Sequence, residues 1–337
     1  MPMNRPHSQF DAYLRLHRAS AIEWRAALQR LQLAEQVFFG NLRQPPITVG
    51  SLSTLNHARG RITLVTPMAA HTLIKHRRNQ TPLIVIPRAI NAPEATLNQA
   101  ASPPLNLPIQ WIPAHTEFEL DLHPGYDYWL LQSHQPSCCL LLTEQQQQTI
   151  RHHFQTFLQE HHFSKDHQHS EQLVQHLFDQ IAASLYSPQS MPLTLTEKPL
   201  DNRIKKALHK LEHDREWSFD LAELASLAGV SERNLYYLMK NHIGMTPYVY
   251  YQRIRLLRVR QRLVDCQCDV PHVSWYAGHE GFSHLGRFAA LFRKHFGELP
   301  SETIQWRRSL TQVDSSETED VIPFHRIAPQ PKSGAAC

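Results

Sequence analysis

The sequence predicts an α+β chain, with a mainly β first half and an all-helical second half holding two helix-turn-helix units joined by a linker helix. Three observations predict it. Over Thr116–Leu122, Phe118, Leu120 and Leu122 fall on one face while Glu117, Glu119 and Asp121 fall on the other, a period of two. After Thr143 the apolar spacing lengthens to that of a helix. Finally, a helix closed by glycine and followed by a serine that opens the next helix occurs twice, 52 residues apart.

In residues 1–143, Ala21–Gln32 reads as a helix. Arg61–Thr66, Leu83–Ile86, Tyr128–Gln132 and Cys139–Thr143 read as further strands, with Pro82, Pro87, Pro93, Pro103, Pro104, Pro108 and Pro113 at their edges and connections. Residues 144–199 hold two helices and a linker. Glu144–Glu160 aligns Ile150, Phe154, Phe157 and Leu158, and Ser170–Leu185 aligns Val174, Leu177, Phe178, Ile181 and Leu185. The second stripe fits either the seam of a homodimer or a helix packed on its own domain. Ser187–Pro199, with three prolines, reads as the linker, and residues 311–337, which lack periodicity, as a disordered tail.

Residues 200–310 carry the two units. The first runs Asp220–Ala228, Gly229-Val230-Ser231, then Glu232–His242. Gly229 suits a left-handed turn, and Ser231 is placed to accept a bond from a backbone N–H near Asn234. Leu221, Leu224, Ala225, Val230, Leu235, Leu238 and Met239 form its inward set, leaving Glu232, Arg233, Tyr236 and Lys240 outside. The second unit, Val270–Phe296, has Val273 and Ala277 in its first helix, Gly281-Phe282-Ser283 at the turn with Ser283 as N-cap, and His284–Phe296 as its second helix. Phe288, Leu291, Phe292 and Phe296 point inward, with His284, Arg287 and Lys294 on other faces. Between the units, Thr246-Pro247 opens a helix that continues to about Val264. Such a rod spans about 27 Å, close to the roughly 34 Å repeat of major grooves on one face of B-DNA. Arg253, Arg255, Arg258, Arg260 and Arg262 lie on it in several stripes, so they cannot all touch one duplex.

Composition narrows the function classes. The 337 residues are 42% hydrophobic and 19% charged, enough to fold two domains. No apolar run is long enough for a bilayer and Met1–Phe10 is polar, so the expectation is a cytoplasmic protein with no membrane partner. Cys138, Cys139, Cys266, Cys268 and Cys337 make no disulfide framework and are expected as free thiols. Net charge is +4, but residues 196–310 alone carry +5, the footprint of a module that meets polyphosphate or an acidic surface.

Metal and enzyme readings are weaker. His152, His153, His161, His162, His167, His169 and His176 cluster near the two middle helices, yet adjacent histidines on a helix diverge and no zincin pattern joins them, so a polar face is expected and no metal is assigned. Cys266-Gln267-Cys268 lacks a second pair. There is no phosphate loop and no nucleophile elbow, and His115–His123 does not match the His-x-His of an oxygenase strand, so neither catalysis nor a cofactor is expected.

Ala225, Gly229-Val230-Ser231, Leu235, Gly244, Pro247, Arg255-Leu256, Ala277, Gly281-Phe282, Phe288, Phe292, Phe296-Gly297 and Pro300-Ser301 resemble, in order and spacing, the DNA-binding domain of the AraC/XylS family of bacterial transcription regulators over about Ile204–Trp306. Gly281–Ala289 and, more weakly, Thr116–Leu120 are similar to the subgroup containing the ethanolamine operon regulator. Two positions depart from the family: Ala290 stands where many members have an arginine, and Val259 where many have an alanine. The resemblance implies a sequence-specific regulator, usually an activator, with double-stranded DNA and RNA polymerase as partners. It implies a first half that senses a small-molecule effector or mediates homodimerisation. Arg233, Tyr236, Tyr237, Lys240, His284, Arg287 and Lys294 are the expected DNA-contacting residues. Arg233 suits either guanine or phosphate, and the tyrosines suit sugar stacking or thymine methyls. The alternative is a ligand- or metal-binding protein whose basic module associates with DNA without sequence preference.

Overall fold

A computed structural model describes residues 10–40, 48–68, 71–89, 109–134, 142–186, 200–266 and 273–311. The strand expected at Cys139–Thr143 falls largely outside them, as do Cys138, Cys268, Cys337, the linker and the tail. Thr143 itself is not strand but a helix cap, accepting from Gln146 N–H while the Gln146 side chain accepts from Thr143 N–H.

The first half is a central antiparallel sheet covered on both faces. Its six strands run in the order β1 (Leu14–Ala19), β3 (Gly50–His57), β4 (Gly60–Pro67), β9 (Tyr126–Ser133), β6 (Leu83–Ala89) and β7 (Gln110–Ile112). A second sheet holds β2 (Gln36–Phe39), β5 (Thr72–His76) and β8 (Phe118–Leu122). Alternation sorts the side chains: Ile62, Leu64, Ile84, Ile86, Trp129 and Leu131 face one core, while Val65, Leu83, Val85, Tyr128 and Leu130 face the other. The second core is closed by the small sheet and by α1 (Ala21–Arg30), which starts with a capping box between Ser20 and Glu23. Trp24 of α1 is fully buried against Gly50, where a Cβ would lie 2.4 Å from the indole.

The first core is covered by α2 (Glu144–His162) and α3 (His167–Tyr186). Val174, Leu177, Phe178 and Ile181 of α3 are buried there within the one chain, with Phe178 packed over Gly60, so this stripe is filled by the chain itself. The remaining helices are α4 (Asn202–His213), α5 (Leu221–Ala228), α6 (Glu232–Ile243), α7 (Pro247–Asp265), α8 (Val273–His279), α9 (Leu285–Phe296) and α10 (Pro300–Thr311). Among the described residues no helix is long and apolar enough to cross a membrane, and Cys266 is buried.

The sequence reading missed β1, β2, β3, β5 and β7. These strands mix Ser, Thr, His, Lys and Gln with their apolar residues, so no clean alternation marks them. β1 is also irregularly paired with β3, and its other side lies against α7.

Candidate nucleic-acid interface

The first helix pair forms as its sequence dictates. Asp220 accepts from Ala222 and Glu223 N–H and starts α5. Gly229 ends it at φ 73°, and Ser231 Oγ accepts from Asn234 N–H at 3.3 Å to start α6. Leu224, Ala225, Leu235 and Met239 are buried between the helices. The outward face of α6 then presents Arg233, Tyr236, Tyr237 and Lys240, all exposed. Both tyrosines face solvent, and each lies one helical turn from a cation: Arg233 is 5.8 Å from the Tyr237 ring and Lys240 5.8 Å from the Tyr236 ring.

The second pair differs by one residue. Phe282 N–H bonds to Ala277 O just as Val230 N–H bonds to Ala225 O, and Gly281 takes φ 74°, so both turns begin in the same register, 52 apart. Yet the N-cap of α9 is His284, not Ser283, and its side chain makes no capping bond. The turn is one residue longer, which moves the whole of α9 to an offset of 53 and takes the serine hydroxyl out of the cap position. His284, Arg287 and Lys294 are nevertheless exposed. In this register the counterparts of Arg233, Tyr236, Tyr237 and Lys240 are Gly286, Ala289, Ala290 and Arg293. Arg293 is also exposed and was missed by sequence reasoning; an alignment of the two C-cap glycines, Gly244 and Gly297, would have found it.

The rod between the pairs is α7, capped by Thr246 with Pro247 in its first turn. Its arginines point into the protein rather than toward a ligand. Arg253, Arg258 and Arg260 are buried. Arg253 donates to His162 O at 2.7 Å and Arg258 to Glu212 O at 3.0 Å, joining the rod to α2 and α4. Arg255 lies 4.6 Å from the Phe282 ring and donates to Glu280 O, which pins the second turn. Arg262 pairs with Glu280 at 3.2 Å.

Arg260 reaches into the first half. It pairs with Glu298 at 2.7 Å and donates to Leu14 O, while Arg15 of β1 also bonds Glu298. Burial lowers the Arg260 pKa to about 10, well above neutrality. Burial alone would raise the Glu298 carboxyl, but Arg260 and Arg15 hold it below the usual range. A second such contact joins Arg307 of α10 to Glu23 of α1 at 2.6 Å, with Arg307 also donating to Val264 O. Lastly, the turn between α2 and α3 approaches both C-caps: the Lys165 side chain lies 3.0 Å from where a Cβ would sit on Gly244, and the His167 ring 2.5 Å from one on Gly297.

Residues 224–305 match a family model described as a helix-turn-helix domain. Over 119 residues the chain is 38% identical to the XylDLEGF operon transcriptional activator 3 of Pseudomonas putida, a match covering 35% of this chain and 36% of that one. It is 35% identical over 114 residues to the XylDLEGF operon transcriptional activator 2 of the same species, covering 34% of this chain and 72% of the relative. The chain belongs to the AraC/XylS family of transcription regulators. Among solved structures, a probable AraC family transcriptional regulator from Rhodopseudomonas palustris is 30% identical, covering 31% of this chain and 96% of that one, with a TM-score of 0.30. The match to the first of these activators spans about a third of its length. Members of the family are regulators rather than enzymes, and their helix-turn-helix domain binds DNA. Of the two departures from the family pattern, Val259 is fully buried in α7, a small change of core volume, and Ala290 is exposed on α9.

Proposed function

We propose that this chain activates transcription by placing α6 and α9 in successive major grooves of one duplex, with an effector acting through the first half. The observation that carries the reading is the pairing of two helix-turn-helix units on one rod whose own arginines are turned inward. The 19 residues of α7 span about 28 Å, close to one groove repeat. The exposed faces of α6 and α9 are therefore the surfaces left to read DNA. Arg233, Tyr236, Tyr237 and Lys240 on the first helix, and His284, Arg287 and Lys294 on the second, are the contacts we assign. Arg233 is the residue best suited to guanine, being long, forked and near a helix start.

We also place the chain near the subgroup of the ethanolamine operon regulator, on the run Gly281–Ala289. Division of labour follows the boundaries read from sequence, with residues 1–143 as the sensing part, 144–199 as helices and linker, and 200–310 as the DNA-binding part. The α2–α3 turn, which lies at both C-cap glycines, is the route by which an effector would alter the presentation of the two helices. RNA polymerase and a second copy of the chain are the further partners this role calls for.

Footprinting and gel shift of the full chain on genomic fragments at about 0.15 M salt test the reading. One site should be favoured over bulk DNA by at least roughly 10³-fold, with protection over two adjacent turns. Protection confined to half a turn, or binding without sequence preference, would overturn it and favour a ligand-binding protein with a nonspecific basic module.

A further inference from the structure

The outward face of the small sheet carries a cluster that DNA binding does not use. β5 and β8 are antiparallel with Thr72 opposite Leu122, so His71 and His123, one step beyond, stand opposite one another. Asp121 lies two residues before His123 and therefore shares its face. The alternate residues Thr72, Ile74, Leu120 and Leu122 are buried beneath, so the strands cannot turn these three side chains inward without giving up the core.

The three side chains converge. The imidazole centroids are 4.3 Å apart at 81°. His123 Nε2 is 3.3 Å from one Asp121 carboxylate oxygen and His71 Nδ1 is 3.9 Å from the other. One donor atom from each residue lies within 4.8 Å of the other two. Tetrahedral zinc with bonds of about 2.0–2.1 Å needs donors roughly 3.4 Å apart, a closure that small side-chain rotations supply. The backbone on both sides is fixed: His71 O accepts from Gly40 N–H at 2.9 Å, and His123 N–H donates to Tyr128 Oη at 2.9 Å.

We propose that His71, Asp121 and His123 bind one late first-row divalent ion, zinc foremost. Two imidazoles and one carboxylate are the donor set such ions take, and hard ions such as magnesium or calcium would require more oxygen ligands than the site offers. Exposure of all three leaves the remaining coordination positions to water or to a ligand of the sensing half. Bound there, the ion staples β5 to β8 across the end of the small sheet. The site stands on its own geometry and is independent of how the chain reads DNA.

The test is zinc titration of the full chain after chelator treatment, by calorimetry, with cobalt(II) absorption as a second readout. The chain has 23 histidines, so the quantity that decides is the equivalent lost between variants. The unaltered chain should bind one equivalent with Kd at or below about 10 μM that the His71→Ala/His123→Ala double variant lacks. Asp121→Asn should weaken that equivalent about tenfold or more, and zinc should raise the melting temperature only where the site is intact. All three positions are exposed, and circular dichroism checks that the variants fold; Asp121→Asn, nearly isosteric, serves if the double variant does not. Unchanged stoichiometry and affinity in these variants, or binding by the unaltered chain only above about 1 mM, would overturn the proposal.

Discussion

The two helix-turn-helix units share a plan and differ in what each leaves exposed. α6 starts on a serine cap and carries Arg233, Tyr236, Tyr237 and Lys240; α9 starts without a side-chain cap and offers Gly286, Ala289, Ala290 and Arg293 at the same positions. Their rear faces differ as well. His242 of α6 is exposed, whereas its counterpart His295 is half-buried, and α9 touches α3 and the 3₁₀ turn at Asp11–Tyr13. Glu298, just beyond α9, is held by Arg260 and Arg15. At the matching positions one unit thus presents two tyrosines between two cations, and the other, clasped by the first half of the chain, presents glycine and two alanines beside a single arginine. On the proposed function, sequence discrimination concentrates in the first unit, while the second sets orientation and receives the effector's influence.

The clasp gives the largest expected effect. Arg260→Ala leaves the buried Glu298 with only Arg15 as ion partner and should destabilise the chain by about 3 kcal/mol or more in urea denaturation. The first unit's tie to α4, Lys210 with Glu223 of α5 at 3.1 Å, is on the surface, and Lys210→Ala should leave the denaturation midpoint nearly unchanged. Equal losses would mean that the second unit is held no more firmly than the first.

DNA binding probes the opposite faces. Arg233→Ala should weaken specific binding by about 1–3 kcal/mol, with the loss confined to one base position in a set of operator variants. Arg287→Ala should cost about 1 kcal/mol, spread evenly over sequences as for a phosphate contact. A position-specific loss at Arg287 larger than that at Arg233 would reverse the assignment of roles.

His295 adds a pH dependence. Burial, and then the positive charges of Arg253 and Lys294, lower the His295 pKa to about 4, with Asp166 opposing. Unfolded chain binds a proton here near pH 6.5 while folded chain does not, so stability is full above pH 6.5 and falls as pH drops toward 4. Between pH 7 and pH 5 this one group should cost about 2 kcal/mol. His295→Gln should flatten that part of the stability profile. If this variant keeps the native slope, the second unit is not packed against the middle helices as described.

Much of this was legible in the sequence, for identifiable reasons. Gly229, Ser231, Thr246 and Pro247 signal their local geometry without help from the rest of the chain, so the first unit and the rod were read to within a residue or two. The strand Phe118–Leu122 declared itself because one face is apolar and the other acidic. What could not be read depends on distant partners. β1 pairs with β3 on one side and is held on the other by Arg260 and Arg307, which reach its carbonyls, and no local pattern encodes partners 246 and 290 residues away. The rod's arginines look like a basic patch in sequence and are internal ties in the structure. His71 and Asp121 are 50 residues apart in sequence and meet only because β5 pairs with β8 in one register.

The smallest effect is the most discriminating for the extra residue in the second turn. Ser231→Ala removes the bond to Asn234 N–H and should cost about 1 kcal/mol of stability, a typical loss for an N-cap. Ser283→Ala, at the equivalent place in the turn, should cost less than about 0.5 kcal/mol, because the helix starts one residue later. A hydroxyl where the helix does start should help: His284→Ser should gain about 0.5–1 kcal/mol. If the His284 ring also touches DNA, that stabilised variant should bind its operator more weakly, so stability and affinity would move in opposite directions. A loss at Ser283 matching that at Ser231 would instead place both turns in one register and remove the structural basis for treating the two units differently.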